Sequence, residues 1–211
     1  MNRIRKGFKV LQSFLEGPKY MIRRGYIHRN IVPKFDDISN KDEWQKEVYA
    51  EVAEFMQKNN YSTICDIGCG SGYKLIQNFE NFHFEGVEIE PTLSTLRNTY
   101  PQNKWQSLED VVGKKYDVIL LSDVIEHIKD PGAFLDYIKS NIKFRYLFIS
   151  TPDRDLLKRP GFNLGPPRNI HHYREWNNDE FNAFISTYFK VVSQKITNEA
   201  QGTQLIQCKN K

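Results

Sequence analysis

The sequence predicts an α/β domain: a seven-stranded, mostly parallel sheet with an antiparallel C-terminal strand and helices on both faces. Three observations lead there. Short apolar runs alternate with helical periods between residues 62 and 188, as in successive βα units. The run at 116–122, built around Val118-Ile119-Leu120-Leu121, and the run at 144–151 read as strands buried on both faces. The last two runs, 189–196 and 203–208, are joined through residues 198–202 and can pair as an antiparallel edge.

The elements follow in order. Residues 1–40 show no sustained period and carry Gly7, Gly17, Pro18, Gly25 and Pro33, which predicts an irregular N-terminal extension or lid with one or two short helices. The domain proper spans 41–211. Trp44, Val48, Val52, Phe55 and Met56 recur at three- and four-residue steps, so 42–58 is a helix, ended by Asn59-Asn60. Residues 62–67 form a strand, 72–79 a short helix and 84–89 a strand. Pro91 stands where a helix over 92–99 begins, a position proline favours. A short strand at 104–107 precedes the buried strand at 116–122. Pro131 opens a helix to about 140, and 144–151 is the next strand. Residues 152–173 are a long Pro- and Gly-rich loop. Phe181, Phe184 and Ile185 mark the inward face of a helix over 177–188.

The run Ile64-Cys65-Asp66-Ile67-Gly68-Cys69-Gly70-Ser71-Gly72 is a strand that ends in an acid and enters a glycine loop. Twenty residues after Gly68, the second strand ends around Glu88. A loop and an acidic strand tip at this spacing hold a nucleoside at the carboxyl edge of an open sheet. Glycine lets the backbone close on the ligand, and the Glu88 carboxylate can accept hydrogen bonds from both ribose hydroxyls. A dinucleotide fingerprint would need glycine where Tyr73 stands, and a phosphate loop would need a Lys-Ser or Lys-Thr pair. The pattern D-x-G-x-G-x-G therefore favours a nucleoside without a pyrophosphate. An ordinary glycine-rich βα turn is the plainer alternative.

This pattern resembles motif I of class I S-adenosylmethionine-dependent methyltransferases, whose Rossmann-like sheet also carries a reversed seventh strand. The resemblance implies S-adenosylmethionine as cofactor. It implies Asp66, Gly68, Cys69 and Gly70 as ligands after strand one, and Glu88 after strand two. Ser107 and Leu108 after strand three would hold the adenine, and Ser122 and Asp123 after strand four would sit beside the methionine part. Asp66 would reach the amino-acid part through water or backbone, or cap the glycine loop by accepting backbone N–H bonds.

A second run, Ser122-Asp123-Val124-Ile125-Glu126-His127-Ile128, follows the fourth strand. A turn or helical stretch there would put Asp123, Glu126 and His127 on one face at i, i+3 and i+4; alternatively Glu126 and His127 brace the next helix. Later come Ser150-Thr151-Pro152-Asp153 and His171-His172-Tyr173-Arg174-Glu175-Trp176. These runs resemble bacterial methyltransferases of surface-sugar and lipopolysaccharide pathways, with a Thr-Pro-Asp-Arg-Asp loop leading to His-x-x-Glu-Trp. They also resemble the small-RNA 3′-terminal 2′-O-methyltransferases, in which a carboxylate-x-x-Glu-His motif and a later histidine ligate a divalent metal. Ubiquinone-pathway O-methyltransferases carry a related run. The RNA family implies Asp123, Glu126, His127 and His172 as ligands here, with Asp123 one methylene shorter than that family's glutamate. Such a mixed site suits Mg²⁺, Mn²⁺ or Co²⁺. The catalytic candidates are His127, Asp123 and His172, with a histidine as general base if no metal is present.

The 211 residues suffice for one such domain, and the net charge of +4 does not demand nucleic acid. Arg3, Arg5, Lys6, Lys9, Lys19, Arg23, Arg24 and Arg29 bias the N-terminal segment, as a solvated arm or as a surface for an anionic acceptor or membrane headgroups. Cys65, Cys69 and Cys208 offer neither a disulfide framework nor zinc spacing, which fits a cytoplasmic protein. No apolar run approaches membrane-spanning length. The sequence thus predicts an O-methyltransferase on a small polar acceptor, a sugar or nucleotide-linked sugar of a surface glycan. An RNA 2′-O-methyltransferase, an N-methyltransferase on a small amine and a non-catalytic cofactor-binding protein are the alternatives.

Overall fold

The structure, a computed structural model, describes residues 19–35, 44–157 and 163–211. Those residues hold a seven-stranded sheet in the order β3-β2-β1-β4-β5-β7-β6. In chain order the elements are α1 (Lys46–Lys58), β1 (Thr63–Ile67), α2 (Tyr73–Phe79), β2 (His83–Val87), α3 (Thr92–Thr99) and β3 (Trp105–Gln106). Then follow β4 (Lys115–Ser122), α4 (Pro131–Asn141), β5 (Lys143–Pro152), α5 (Asn178–Tyr188), β6 (Phe189–Asn198) and β7 (Thr203–Asn210). β1 to β5 pair in parallel. β7 runs antiparallel to both its neighbours, wedged between β5 and β6, so the expected C-terminal hairpin is inserted through its second strand.

Side chains on β4 sort by parity, as the pleat requires. Ile119 and Leu121 join one apolar cluster with Leu135 of α4 and Phe181, Phe184 and Ile185 of α5. Val118 and Leu120 join another with Val52 and Met56 of α1, Leu75 of α2 and Leu96 of α3. Both faces are therefore covered, and the carboxyl ends of β1, β2, β4 and β5 are left to carry a site.

Several expected bounds shift. The first helix begins at Lys46 because Gln45 takes a left-handed conformation (φ 66°); residues 42 and 43 of that prediction lie outside the described residues. β2 stops at Val87, two residues short of the expected end, where Glu90-Pro91 turns the chain toward α3. β3 shrinks to two residues. Within the predicted N-terminal extension, Ile22 and Tyr26 are buried in the same cluster as α4 and α5. The described part of the extension, residues 19–35, carries turns and none of the short helices expected within 1–40; residues 1–18 and 36–40 of the extension and 158–162 of the long loop lie outside the described residues.

Candidate active site

β1 delivers Asp66 fully buried at its carboxyl end. The Tyr49 hydroxyl, projected from α1, donates to Asp66 Oδ2 at 2.7 Å, while Oδ1 is buried without a hydrogen-bond partner. Burial pushes this carboxyl up to about 7, against the Tyr49 hydrogen bond and the charge of Lys74. The chain then turns at Gly68 (φ 83°), where a Cβ would meet Val124 Cγ2 at 2.5 Å, so only glycine fits the space and the conformation. At Gly72 (φ 69°) a Cβ would strike the Trp105 ring at 2.6 Å, which seats the loop against β3. The Gly70 N–H donates to Glu88 Oε1 at 2.9 Å, so the acidic residue after β2 already faces the loop. Glu88 Oε2 accepts from the Ile89 N–H at 2.9 Å. Ser107 and Leu108 follow β3, with the Ser107 hydroxyl donating to Asp110. Ser122 ends β4, its hydroxyl 3.3 Å from that of Ser150 on β5.

Beyond Ser122 the expected helical face does not form. Asp123 is left-handed (φ 53°) and a single 3₁₀ turn covers Ile125–His127. The reversal at Asp123 turns its carboxylate elsewhere: Ser150 Oγ donates to Oδ1 at 2.7 Å and Gln45 Nε2 to Oδ2 at 2.9 Å. Glu126, His127 and His172 do converge, each offering a ligand atom within 4.8 Å of the others, and Asp123 is not in that group.

Pairing between two segments brings the three together. The Tyr173 N–H donates to the Glu126 carbonyl at 2.9 Å, and the Arg174 guanidinium donates to the carbonyls of Ile128 at 2.6 Å and Lys129 at 2.7 Å. Arg174 is itself buried over the Tyr20 ring, 4.5 Å from its centroid. Glu126 is fully buried; Thr151 Oγ1 donates to Oε2 at 3.0 Å and Oε1 has no partner. Burial, and next the charge of Asp123, hold its carboxyl well above the usual range. The His127 Nδ1–H donates to the His171 carbonyl at 3.1 Å, which leaves Nε2 as the lone-pair nitrogen. Burial, then the neighbouring His172, pull His127 down to about 3, so it is neutral across the physiological range. His172 is held from both sides: its Nδ1–H donates to Glu175 Oε1 at 2.8 Å, and the Asn169 amide donates to Nε2 at 2.9 Å. Phe35 stacks on His127 with ring centroids 4.8 Å apart, and the Pro33 carbonyl oxygen lies 3.2 Å from His171 Nδ1.

The other histidines stand apart. His28 packs edge-on between Tyr20 and Tyr26, pulled down to about 4 by burial. His83 is exposed at the start of β2. Sequence reasoning passed over Gln45, Tyr49, Lys74 and Arg174. Only Lys74 left a local signal, a lysine in the first turn of a helix whose neighbours are apolar.

The profile of the family described as a methyltransferase domain matches residues 41–202. The mitochondrial ubiquinone biosynthesis O-methyltransferase of Saccharomyces cerevisiae is 24% identical over 88% of this chain. A tRNA U34 carboxymethyltransferase of Campylobacter jejuni is 27% identical over 56% of this chain. The chain spans 66% of the yeast protein's length and 45% of the Campylobacter protein's. Among solved structures, the methyltransferase domain of bacterial CtHen1-C superposes with a TM-score of 0.61 at 18% identity, over 80% of this chain and 99% of that one. The N-methyltransferase NodS from Bradyrhizobium japonicum, in complex with S-adenosyl-L-homocysteine, superposes with a TM-score of 0.60 at 11% identity, over 82% of this chain and 94% of that one.

Proposed function

We propose that this chain, which belongs to the methyltransferase domain family and is an S-adenosylmethionine-dependent methyltransferase, transfers the methyl group to a hydroxyl oxygen of a small polar acceptor. A sugar or nucleotide-linked sugar of a surface glycan is the acceptor class we favour. In this reading residues 41–211 form the catalytic domain and residues 1–40 an arm laid over it, in a cytoplasmic protein whose three cysteines are free and buried. The cofactor's ribose lies on Glu88, its adenine against Ser107 and Leu108, and its methionyl end between Asp66, the loop Gly68-Cys69-Gly70 and Ser122. The observation that carries the reading is the Glu126, His127 and His172 cluster at the carboxyl edge of the same sheet as the glycine loop.

The donor set fits a divalent metal. Glu126 Oε1 is a buried oxygen without a partner, and a carboxyl held protonated by burial ionises when a cation faces it. His127 offers a neutral ring with Nε2 free, the form in which imidazole ligates. Glu126, His127 and His172 would hold the ion, the last after release of the Asn169 amide. Two imidazoles and a carboxylate suit Mn²⁺ or Co²⁺, and Mg²⁺ less well. When bound, such an ion would lower the pKa of an acceptor hydroxyl. The chain's own groups orient the acceptor and exclude water, and Glu175 holds His172 in one tautomer. A histidine pulled down to about 3 is a weak general base, and its ring stays neutral, the form in which an imidazole can ligate. Asp123 acts in this reading on the cofactor side, through Gln45 and Ser150.

The test is transfer of labelled methyl from S-adenosylmethionine to nucleotide-sugars and, in parallel, to RNA oligonucleotides. We expect turnover on a sugar acceptor that chelator abolishes and Mn²⁺ restores. His127→Ala should lower that turnover at least about 100-fold while S-adenosylhomocysteine still raises the melting temperature. Turnover undiminished in His127→Ala would point to an amine acceptor, which needs no base. Salt-sensitive turnover on RNA alone would move the acceptor to nucleic acid.

A further inference from the structure

Lys74 is a largely buried lysine that makes no ion pair among the described residues. It lies in the first turn of α2, directly after the glycine loop, and is 7% exposed. Its ammonium stands 5.8 Å from the centroid of the Tyr49 ring, and among the described residues it donates no hydrogen bond. The side chain is largely buried, yet Nζ is not among the fully buried atoms that lack a partner, so its donors are open to a ligand. The two carboxylates whose charge it meets are already served by others: Asp123 by Gln45 and Ser150, and Asp66 Oδ2 by Tyr49. Burial pushes both of those carboxyls up, and the charge of Lys74 acts on each in the opposite direction.

Asp66 supplies the complementary orphan, Oδ1, fully buried and without a hydrogen-bond partner. An unpartnered carboxyl oxygen and a lysine ammonium therefore flank the glycine loop, one at the end of β1 and one at the start of α2. A free amino-acid group has this charge pattern in reverse, a carboxylate beside an ammonium. A nucleoside with no such group would leave both orphans as they are, and a phosphate would meet Lys74 but be repelled by Asp66.

We propose that Lys74 holds the α-carboxylate of the cofactor's methionyl end while Asp66 Oδ1 faces its α-ammonium. The inference rests on the cofactor reading above and assigns a residue that the glycine-loop pattern does not contain. Charge-assisted hydrogen bonds in a buried site are the strong ones, so Lys74 discriminates for the intact amino acid rather than for the nucleoside.

Titration calorimetry with three probes tests it: S-adenosylhomocysteine, its decarboxylated analogue and 5′-methylthioadenosine. The unmodified protein should bind S-adenosylhomocysteine about 10- to 100-fold more tightly than the decarboxylated analogue. Lys74→Met should bind those two equally and keep the unmodified protein's affinity for 5′-methylthioadenosine. Lys74→Gln, a second neutral variant of different shape, should do the same, and Lys74→Arg should keep the preference. Neutral variants that still prefer the carboxylate overturn the assignment, as does an unmodified protein that binds all three probes alike; both outcomes leave the cofactor reading standing. If the unmodified protein binds none of the three, the cofactor reading and this inference fall together.

Discussion

Asp66 carries a conflict between stability and binding. Burial raises its carboxyl to about 7, so between its usual value near 4 and 7 the native state holds a proton that the unfolded chain has released. Stability therefore falls as pH rises through that window. His28 and His127 act in the opposite sense: pulled down to about 4 and about 3, they stay neutral in the fold while the unfolded chain takes up protons below its ordinary value near 6.5. Their contribution is present above that value and is lost as pH falls. Asp66→Asn removes only the first effect. In the absence of ligand it should stabilise the protein at pH 8 by up to about 4 kcal/mol, and by much less near pH 4. If Asp66 faces the ligand's ammonium as proposed, the same variant should reduce the rise in melting temperature that S-adenosylhomocysteine produces, because a carboxamide offers the ammonium only an uncharged acceptor. Thermal melts at the two pH values, with and without ligand, separate the effects. A gain over the unmodified protein that is no larger at pH 8 than at pH 4 would show that Asp66 titrates normally.

Among the elements, α5 has a task beyond packing. Asn177 and Glu180 form a capping box, each side chain taking the other's backbone N–H, as the Asn-x-x-Glu spacing allows. Glu180 is also the partner of Arg154, a guanidinium with no exposed surface, at 2.6 Å, and Glu180 Oε1 accepts the Arg23 N–H at 2.9 Å. One carboxylate thus ties the end of β5, the start of α5 and the N-terminal segment together. Glu180→Ala leaves a buried guanidinium short of its partner and should cost about 3–5 kcal/mol in denaturant melts. Glu180→Gln should cost less, and Arg154→Met combined with Glu180→Gln should recover part of the loss. If Glu180→Ala costs under about 1 kcal/mol, as a solvent-screened pair would, the knot is not buried in solution.

At the scale of the whole molecule, the periodicities made the layered sheet legible in advance, because burial on both faces is written locally in runs such as Val118 to Leu121. The glycine loop was legible too, since its conformations demand a residue type. What stayed hidden depends on partners distant along the chain. Arg154 meets Glu180 and Arg174 meets Ile128, and no local pattern announces either. The departure of Asp123 from the histidine cluster follows from one left-handed residue that the spacing i, i+3, i+4 could not foresee. The N-terminal segment is the largest such case. Without a period it read as a lid, yet Ile22 and Tyr26 are buried beneath α5, the Tyr26 hydroxyl accepts the Glu175 N–H at 3.0 Å, and the Tyr26 ring lies 5.1 Å from the Arg154 guanidinium. A segment that only covers the acceptor would change turnover when removed and leave the unfolding transition where it was. A segment that completes the core must change the transition first. Ile22→Ala should therefore cost about 2–4 kcal/mol, and deletion of residues 1–35 about 5 kcal/mol or more, since several large apolar side chains leave the core together. Phe35→Ala should leave the transition nearly unmoved, because Phe35 is 44% exposed and stacks only at the mouth of the site. An Ile22→Ala melt that coincides with the unmodified protein's would return residues 19–35 to the role of a lid.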